Sequence, residues 1–208
     1  MTATAPEQIK ACVFDMGKVL IHFCHDRMLR QMAVVCDCEP EQLRQLLFDS
    51  GVLLEYERGL HTEEQIHQLI EQTLGKSVDR AALEFASADI FDQFDEMLPV
   101  IESLKNQQMP LVLLSNTSRV HFESIRDRFP ILTLFDHYVL SYEVRTLKPD
   151  PGIYEHAVSL AGQPAPNCFF TDDIAVNVEG ARHVGLQAVQ FKNPSQLINE
   201  LRSRGVMV

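Results

Sequence analysis

The sequence predicts an α/β protein: a Rossmann-like parallel sheet with helices on both faces and an all-helical block inserted after the first strand. Three observations lead there. Short apolar runs at 10–15, 111–115, 136–140, 167–171 and 186–191 have the length and near-continuous hydrophobicity of strands buried on both faces. After Pro110, helical patterns at 118–128, 151–161, 174–184 and 195–203 alternate with those runs, as βαβ units require. Between Cys24 and Met97 the alternation stops, and the apolar spacing is helical with no convincing strand.

Taken in order, the first strand ends in Val13-Phe14-Asp15, and the chain turns on Gly17. Helices follow at 26–36, 40–49, 62–74 and 78–88, with less regular turns at 51–58 and 91–97. Thr62-Glu63-Glu64-Gln65 is a capping-box sequence, so the third helix starts there, and Gly75 closes it. Pro99 suits the first turn of a helix over 99–107. Two units result: a core domain of residues 1–23 and 98–208, and a helical cap domain of residues 24–97. The inserted stretch is long enough to form a small bundle of its own.

Composition narrows the function classes. A net charge of −11 over 208 residues makes nucleic acid and anionic membranes poor partners. A small anionic substrate stays compatible, because a metal and one lysine can reverse the local field. No apolar run approaches 18 residues, so no membrane-spanning helix is expected. The N-terminus lacks the basic start and apolar centre of a signal peptide, which points to a cytoplasmic protein. Of the five cysteines, Cys12 and Cys168 fall in predicted buried strands, where cysteine acts as a small apolar residue. Cys36 and Cys38 have no further ligands at metal-binding spacing, and the set reads as reduced thiols together with Cys24.

The chemistry lies where the strands end. Asp15, Ser115-Asn116-Thr117 and Asp172-Asp173 each directly follow or close an apolar run, and Lys148-Pro149 comes after the predicted strand at 136–140. Adjacent parallel strands bring such residues to one carboxyl edge, where open α/β sheets place their ligands. An aspartate, a hydroxyl, an amide, a lysine and an acidic pair in one pocket suit metal-assisted attack by a carboxylate on a phosphoryl group.

Asp15-Met16-Gly17, Ser115-Asn116-Thr117, Lys148-Pro149 and Asp172-Asp173, with Asn177 and Gly180-Ala181 after them, resemble the haloacid dehalogenase superfamily. The likeness runs over the whole chain. The helical insertion is similar to its C1-type cap, and Glu57-Arg58-Gly59 resembles the bacterial α-D-glucose-1-phosphate phosphatases and the phosphatase domain of soluble epoxide hydrolases. The resemblance implies a Mg²⁺-dependent phosphatase of small phosphate monoesters, such as a hexose 1-phosphate. Asp15 becomes the nucleophile that carries an aspartyl-phosphate. Ser115 and Asn116 hold phosphate oxygens by hydroxyl and backbone N–H at a helix start, although both also read as an N-cap for helix 118–128. Lys148 neutralises the nucleophile and the phosphoryl group. Asp15, the Gly17 carbonyl, Asp172 and, most firmly, Asp173 are the implied metal ligands, with Asn177 in support; hard oxygen donors suit Mg²⁺. Gly180 and Gly185 serve close packing and a helix end. Tyr56, Glu57, Arg58 and His61 form a polar loop that the resemblance places over the site, with Arg58 setting specificity. The stripe of Leu46, Leu47, Leu53 and Leu54 reads as packing within the cap rather than as a ligand groove.

Gly17 departs from the family pattern. Many related phosphatases carry a second aspartate there as general acid and base, and glycine serves as neither. Either another group takes over the proton transfer or the substrate has a good leaving group; His22, His25 and Lys18 are nearby in sequence. Two other readings compete: a metal-independent 2-haloacid dehalogenase, against which the acidic pair argues, and a weakly active phosphate-binding regulatory protein.

Overall fold

A computed structural model describes residues 7–208 of the chain. Residues 1–6, on which much of the signal-peptide reading rests, lie outside it. The strands are β1 (Ala11–Phe14), β2 (Ile21–Phe23), β3 (Phe91–Gln93), β4 (Leu111–Ser115), β5 (His137–Leu140), β6 (Cys168–Asp172) and β7 (Gln187–Gln190). Five of them form one parallel sheet in the order β5-β4-β1-β6-β7. β1 is therefore central. Its register pairs Phe14 with Leu113 on one side and with Thr171 on the other, so the residues just past β1, β4 and β6 share one edge.

The helices are α1 (His25–Cys36), α2 (Pro40–Arg44), α3 (Val52–Glu57), α4 (Glu63–Leu74), α5 (Arg80–Ala88), α6 (Leu98–Asn106), α7 (Arg119–Arg126), α8 (Ser141–Val144), α9 (Pro151–Ala161), α10 (Ala175–His183) and α11 (Pro194–Ser203). Strand side chains alternate between the two faces, and each face has its own apolar cluster. On one, Val13, Leu114 and Phe170 pack with Ile153, Tyr154 and Ala157 of α9 and Val178 and Ala181 of α10. On the other, Phe14, Leu113 and Phe169 join Ile101 and Leu104 of α6, Phe122 and Ile125 of α7, and Leu197 and Leu201 of α11. That second cluster is continuous with the apolar faces of α1, α2, α4 and α5, so the inserted block is seated on the sheet.

Local sequence explains the element ends. Thr62 Oγ1 accepts from Gln65 N–H at 3.2 Å, while the Gln65 side chain accepts from Thr62 N–H at 2.9 Å. Gly75, at φ +68°, ends α4, and Pro99 sits in the first turn of α6. Gly180 lets α10 approach the Pro149 carbonyl: a Cβ there would lie 2.8 Å from that oxygen. Gly185 takes φ +95° just past α10. All five cysteines are free.

The structure differs from the periodicity in four places. Residues 40–49 are not one regular helix, because α2 passes into a π turn at Gln45–Asp49. The stretch 51–58 contains α3. The helix predicted from 118 starts at Arg119, capped by Ser118, whose Oγ accepts from His121 N–H, so Ser115 and Asn116 are not its caps. Most consequential, β2 and β3 form an antiparallel pair where no strand was legible, with Phe23 opposite Phe91. Three-residue strands are too short for a period of two to register. No helix among the described residues is long and apolar enough to cross a membrane.

Candidate active site

The site is built around a buried lysine. Lys148 Nζ lies 2.5 Å from Asp15 Oδ1 and 2.6 Å from Asp172 Oδ2, and donates to the Leu114 carbonyl at 3.1 Å. All three ammonium protons thus have acceptors, as a buried cation requires. The side chain is 2% exposed. Burial lowers its pKa and the two carboxylates raise it; the carboxylates win, and the group is held above its ordinary value.

Asp15 extends β1, its N–H donating to the Thr171 carbonyl at 3.0 Å. Burial pushes its pKa up, to about 7, against the pull of Lys148 and with the push of Asp172. Asp172 is fully buried: besides Lys148, it accepts from Ile174 N–H at 2.8 Å and from Asn177 Nδ2 at 3.1 Å on each oxygen. Asn177 therefore orients a carboxylate. Asp173 is more open, and Lys18 Nζ sits 4.0 Å from it. Burial and the neighbouring Asp172 raise its pKa. One oxygen each from Asp15, Asp172 and Asp173 lie within 4.8 Å of one another. Three hard oxygen donors this close fit a small divalent cation, which would relieve their mutual repulsion.

The β4 end contributes backbone and hydroxyls. Ser115 and Thr117 are buried, and both line the pocket with Asn116. The Asn116 side chain is committed elsewhere: Oδ1 accepts from Lys148 N–H at 2.8 Å and Nδ2 donates to Lys148 O at 3.1 Å. That clamp fixes the peptide carrying the central lysine, a role sequence reading did not foresee.

Asp15, Gly17, Ser115, Asn116, Lys148 and Asp173 line one pocket of about 650 Å³, counting its open mouth. Asp172 lies behind it. Arg58 is elsewhere: its guanidinium meets Asp150 at 3.4 Å and is not among the lining groups. Its neighbour Glu57 lines the pocket instead, with Phe23, His25, Phe91 and His121. His22 stacks on Phe94, their ring centroids 4.4 Å apart, and is not a lining residue. His25 is held below its ordinary pKa by burial and the Lys18 charge, and burial takes His121 down to about 4. Glu57 was legible as polar cap loop but not as a pocket wall, because that depends on how α3 packs on the core.

A second cavity, about 600 Å³, lies between the helical block and the start of α7. Met28, Met32, Leu47, Leu53, Ile70 and Leu83 are among its apolar lining, and His121 separates it from the first pocket as a shared wall. Leu47 and Leu53, read as packing residues, thus face a cavity.

A family model described as haloacid dehalogenase-like hydrolase matches residues 9–185. The chain is 24% identical to a drimenol cyclase of Aspergillus calidoustus, over 93% of this chain and 36% of that one. It is 25% identical to a sesquiterpene phosphatase of Aspergillus oryzae, covering 93% of this chain and 95% of the relative. It spans 36%, 48% and 63% of the lengths of three of the curated relatives it matches. Among solved structures, a haloacid dehalogenase family enzyme of Bacteroides thetaiotaomicron, in complex with magnesium and inorganic phosphate, superposes with a TM-score of 0.76 at 25% identity. That match covers 88% of this chain and 94% of the other.

Proposed function

The chain belongs to the haloacid dehalogenase-like hydrolases, and from that premise we propose that it is a Mg²⁺-dependent phosphatase that hydrolyses a small phosphate monoester through an aspartyl-phosphate on Asp15. One observation carries the reading: a carboxylate at the end of the central strand, bridged to Asp172 by a buried lysine and within 4.8 Å of an oxygen of both Asp172 and Asp173. Asp15, the Gly17 carbonyl, Asp172 and Asp173 would hold the cation, which when bound supplies positive charge to the carboxylates and the phosphoryl oxygens.

The chain's own residues do the rest. Lys148 holds Asp15 in place and presents positive charge where the phosphoryl group arrives. Ser115, with backbone N–H groups of the loop after β4, orients the phosphoryl oxygens. Asp15 attacks phosphorus, the bond to the leaving oxygen breaks, and water later releases phosphate from Asp15. Asn116 and Asn177 keep Lys148 and Asp172 in register. A metal-independent dehalogenase would leave three carboxylates crowded with one ammonium, so the cluster speaks for the phosphatase.

The organic part of the substrate has two readings. The polar loop Tyr56–His61 and its resemblance support a sugar phosphate such as a hexose 1-phosphate. The apolar cavity beside the pocket, and a relative that is a sesquiterpene phosphatase, favour a prenyl-type phosphate. A panel of both classes, assayed with Mg²⁺ and in EDTA, tests the proposal. Phosphate release is expected only with Mg²⁺ and is abolished in Asp15→Asn, whose amide keeps the shape without the nucleophile. Full activity after dialysis into EDTA would refute it.

A further inference from the structure

We propose that Glu57 is the proton donor and acceptor of this site, a carboxyl group supplied by the helical block in place of the side chain missing at Gly17. The proposal rests on the phosphatase reading above and adds to it the residue that handles the leaving group and the water.

The flank at position 17 is closed to such a group. A Cβ built on Gly17 would lie 2.6 Å from Cε1 of Phe23, so the aromatic ring occupies the space where an acid–base side chain would begin. The lining contributed by the helical block is different. Of the residues lining the pocket, three are carboxylic: Asp15, Asp173 and Glu57. Asp15 and Asp173 belong to the metal-compatible cluster. Glu57 is the one that does not, and it enters from α3.

Its placement is enforced by three contacts between its turn and the core. Ser141 Oγ donates to the Glu57 carbonyl at 2.6 Å and accepts from Thr117 N–H at 3.0 Å, tying Glu57 to the loop that faces the phosphoryl group. Arg58 pairs with Asp150, two residues past Lys148. Gly59, at φ +74°, presses against Tyr142: a Cβ there would lie 2.3 Å from its carbonyl oxygen. The Glu57-Arg58-Gly59 turn is thus seated on the wall that carries Lys148, and positioning of this kind is what acid–base catalysis needs.

The charges around it agree. Burial pushes Glu57 up, to about 7, with Lys148 pulling the other way. The other charged and titratable groups lining the pocket are Asp15, Asp173, Lys18, His25 and His121. Both histidines are held down, so neither is a ready proton donor at neutral pH. A group poised near the working pH both gives and takes a proton efficiently. In the first half-reaction Asp15 attacks phosphorus, the phosphorus–oxygen bond to the alcohol breaks, and the Glu57 proton passes to the departing oxygen. In the second, the Glu57 carboxylate takes a proton from water as that water attacks phosphorus; the bond to Asp15 breaks, leaving phosphate, a free Asp15 carboxylate and a protonated Glu57.

The test compares wild type with Glu57→Gln on an alkyl phosphate and on a nitrophenyl phosphate, with acid-quenched intact mass and a pH profile. Turnover of the alkyl ester is expected to fall about 10²–10⁴-fold. The nitrophenol-releasing step should fall far less, the phosphorylated chain should accumulate, and, with Mg²⁺ saturating so that Asp15 stays ionised, the limb of the pH–rate profile near 7 should disappear. Equal losses on both esters with no trapped phosphoprotein and an unchanged limb would overturn the proposal, as would near wild-type turnover. If Gln lowers the melting temperature enough to suggest unfolding, Glu57→Ala with added formate asks the same question: rescue supports the role and its absence overturns it. A wild type that releases no phosphate with Mg²⁺ refutes the phosphatase reading itself; an active wild type with an unaffected variant refutes only the role of Glu57.

Discussion

Lys148→Met should cost this protein a large part of its stability, and the loss should depend on pH and on magnesium. The lysine is 2% exposed and lies within 2.6 Å of both Asp15 and Asp172, which are themselves 10% and 0% exposed at the side chain. Methionine keeps the length and removes the charge, leaving two buried carboxylates without their common counter-charge. Removing one partner of a buried pair typically costs about 3–5 kcal/mol. At roughly 2–4 °C per kcal/mol for a chain of this size, the melting temperature should fall by roughly 6–20 °C. The sign with pH follows from Asp15, already pushed up to about 7 with Lys148 in place. A carboxyl whose folded pKa lies above its unfolded value opposes folding when ionised, so the deficit is largest above pH 7. It shrinks as the pH falls toward 5 and the carboxyls take up protons. Magnesium, binding among the carboxylates, should restore part of the loss at pH 8. Thermal melts by circular dichroism at pH 5.5 and 8, with EDTA or Mg²⁺, give all four values. A fall under about 3 °C at pH 8, with no dependence on pH, would mean that Lys148 is not the counter-charge that holds these carboxylates.

Gly17→Asp should lower activity and cost about 1–3 kcal/mol, because the new Cβ meets Phe23, and Gly17→Asp with Phe23→Ala should recover stability relative to the single variant; melting curves and phosphate release on both variants check this. Gly59→Ala should reduce turnover more than it reduces binding of inorganic phosphate, since its Cβ collides with Tyr142 and displaces Glu57, a split read by steady-state kinetics and product inhibition. Arg58→Ala removes a half-exposed ion pair worth under about 1 kcal/mol, and should change all substrates by the same small factor; a reordering of substrates would place Arg58 in contact with them.

The core of the fold was legible because its strands are buried on both faces and its helices alternate with them. The residues at the strand ends were legible for a related reason. Once β1, β4 and β6 are adjacent and parallel, Asp15, Ser115 and Asp172 meet at one edge whatever the loops do. Lys148 lies beyond a strand rather than on its end, and its reach to Asp15 depends on the Asn116 clamp, which no local pattern reveals. Glu57 shows the same limit more strongly. Its sequence neighbourhood says only helix end and turn, and its place in the pocket comes from contacts with Ser141, Tyr142 and Asp150, some 84 to 93 positions away.

The missing strand pair and the glycine at position 17 turn out to be one feature. Phe23 ends β2, pairs across to Phe91 of β3, and brings its ring over Gly17, with both phenylalanines lining the pocket. A side chain at 17 and the ring of Phe23 compete for the same volume, so the glycine is required by the hairpin-like pair that closes this flank. The consequence is chemical as well as steric. An apolar ring now stands where a polar group would have assisted the leaving group, drying that side and leaving the acid–base task to Glu57. On this account Phe23→Ala alone should open space without supplying a proton donor. Turnover should then fall through looser packing of the pocket, while the pH limb assigned to Glu57 stays in place. Loss of that limb in Phe23→Ala would show instead that the ring, and not the Glu57 turn, sets the proton transfer.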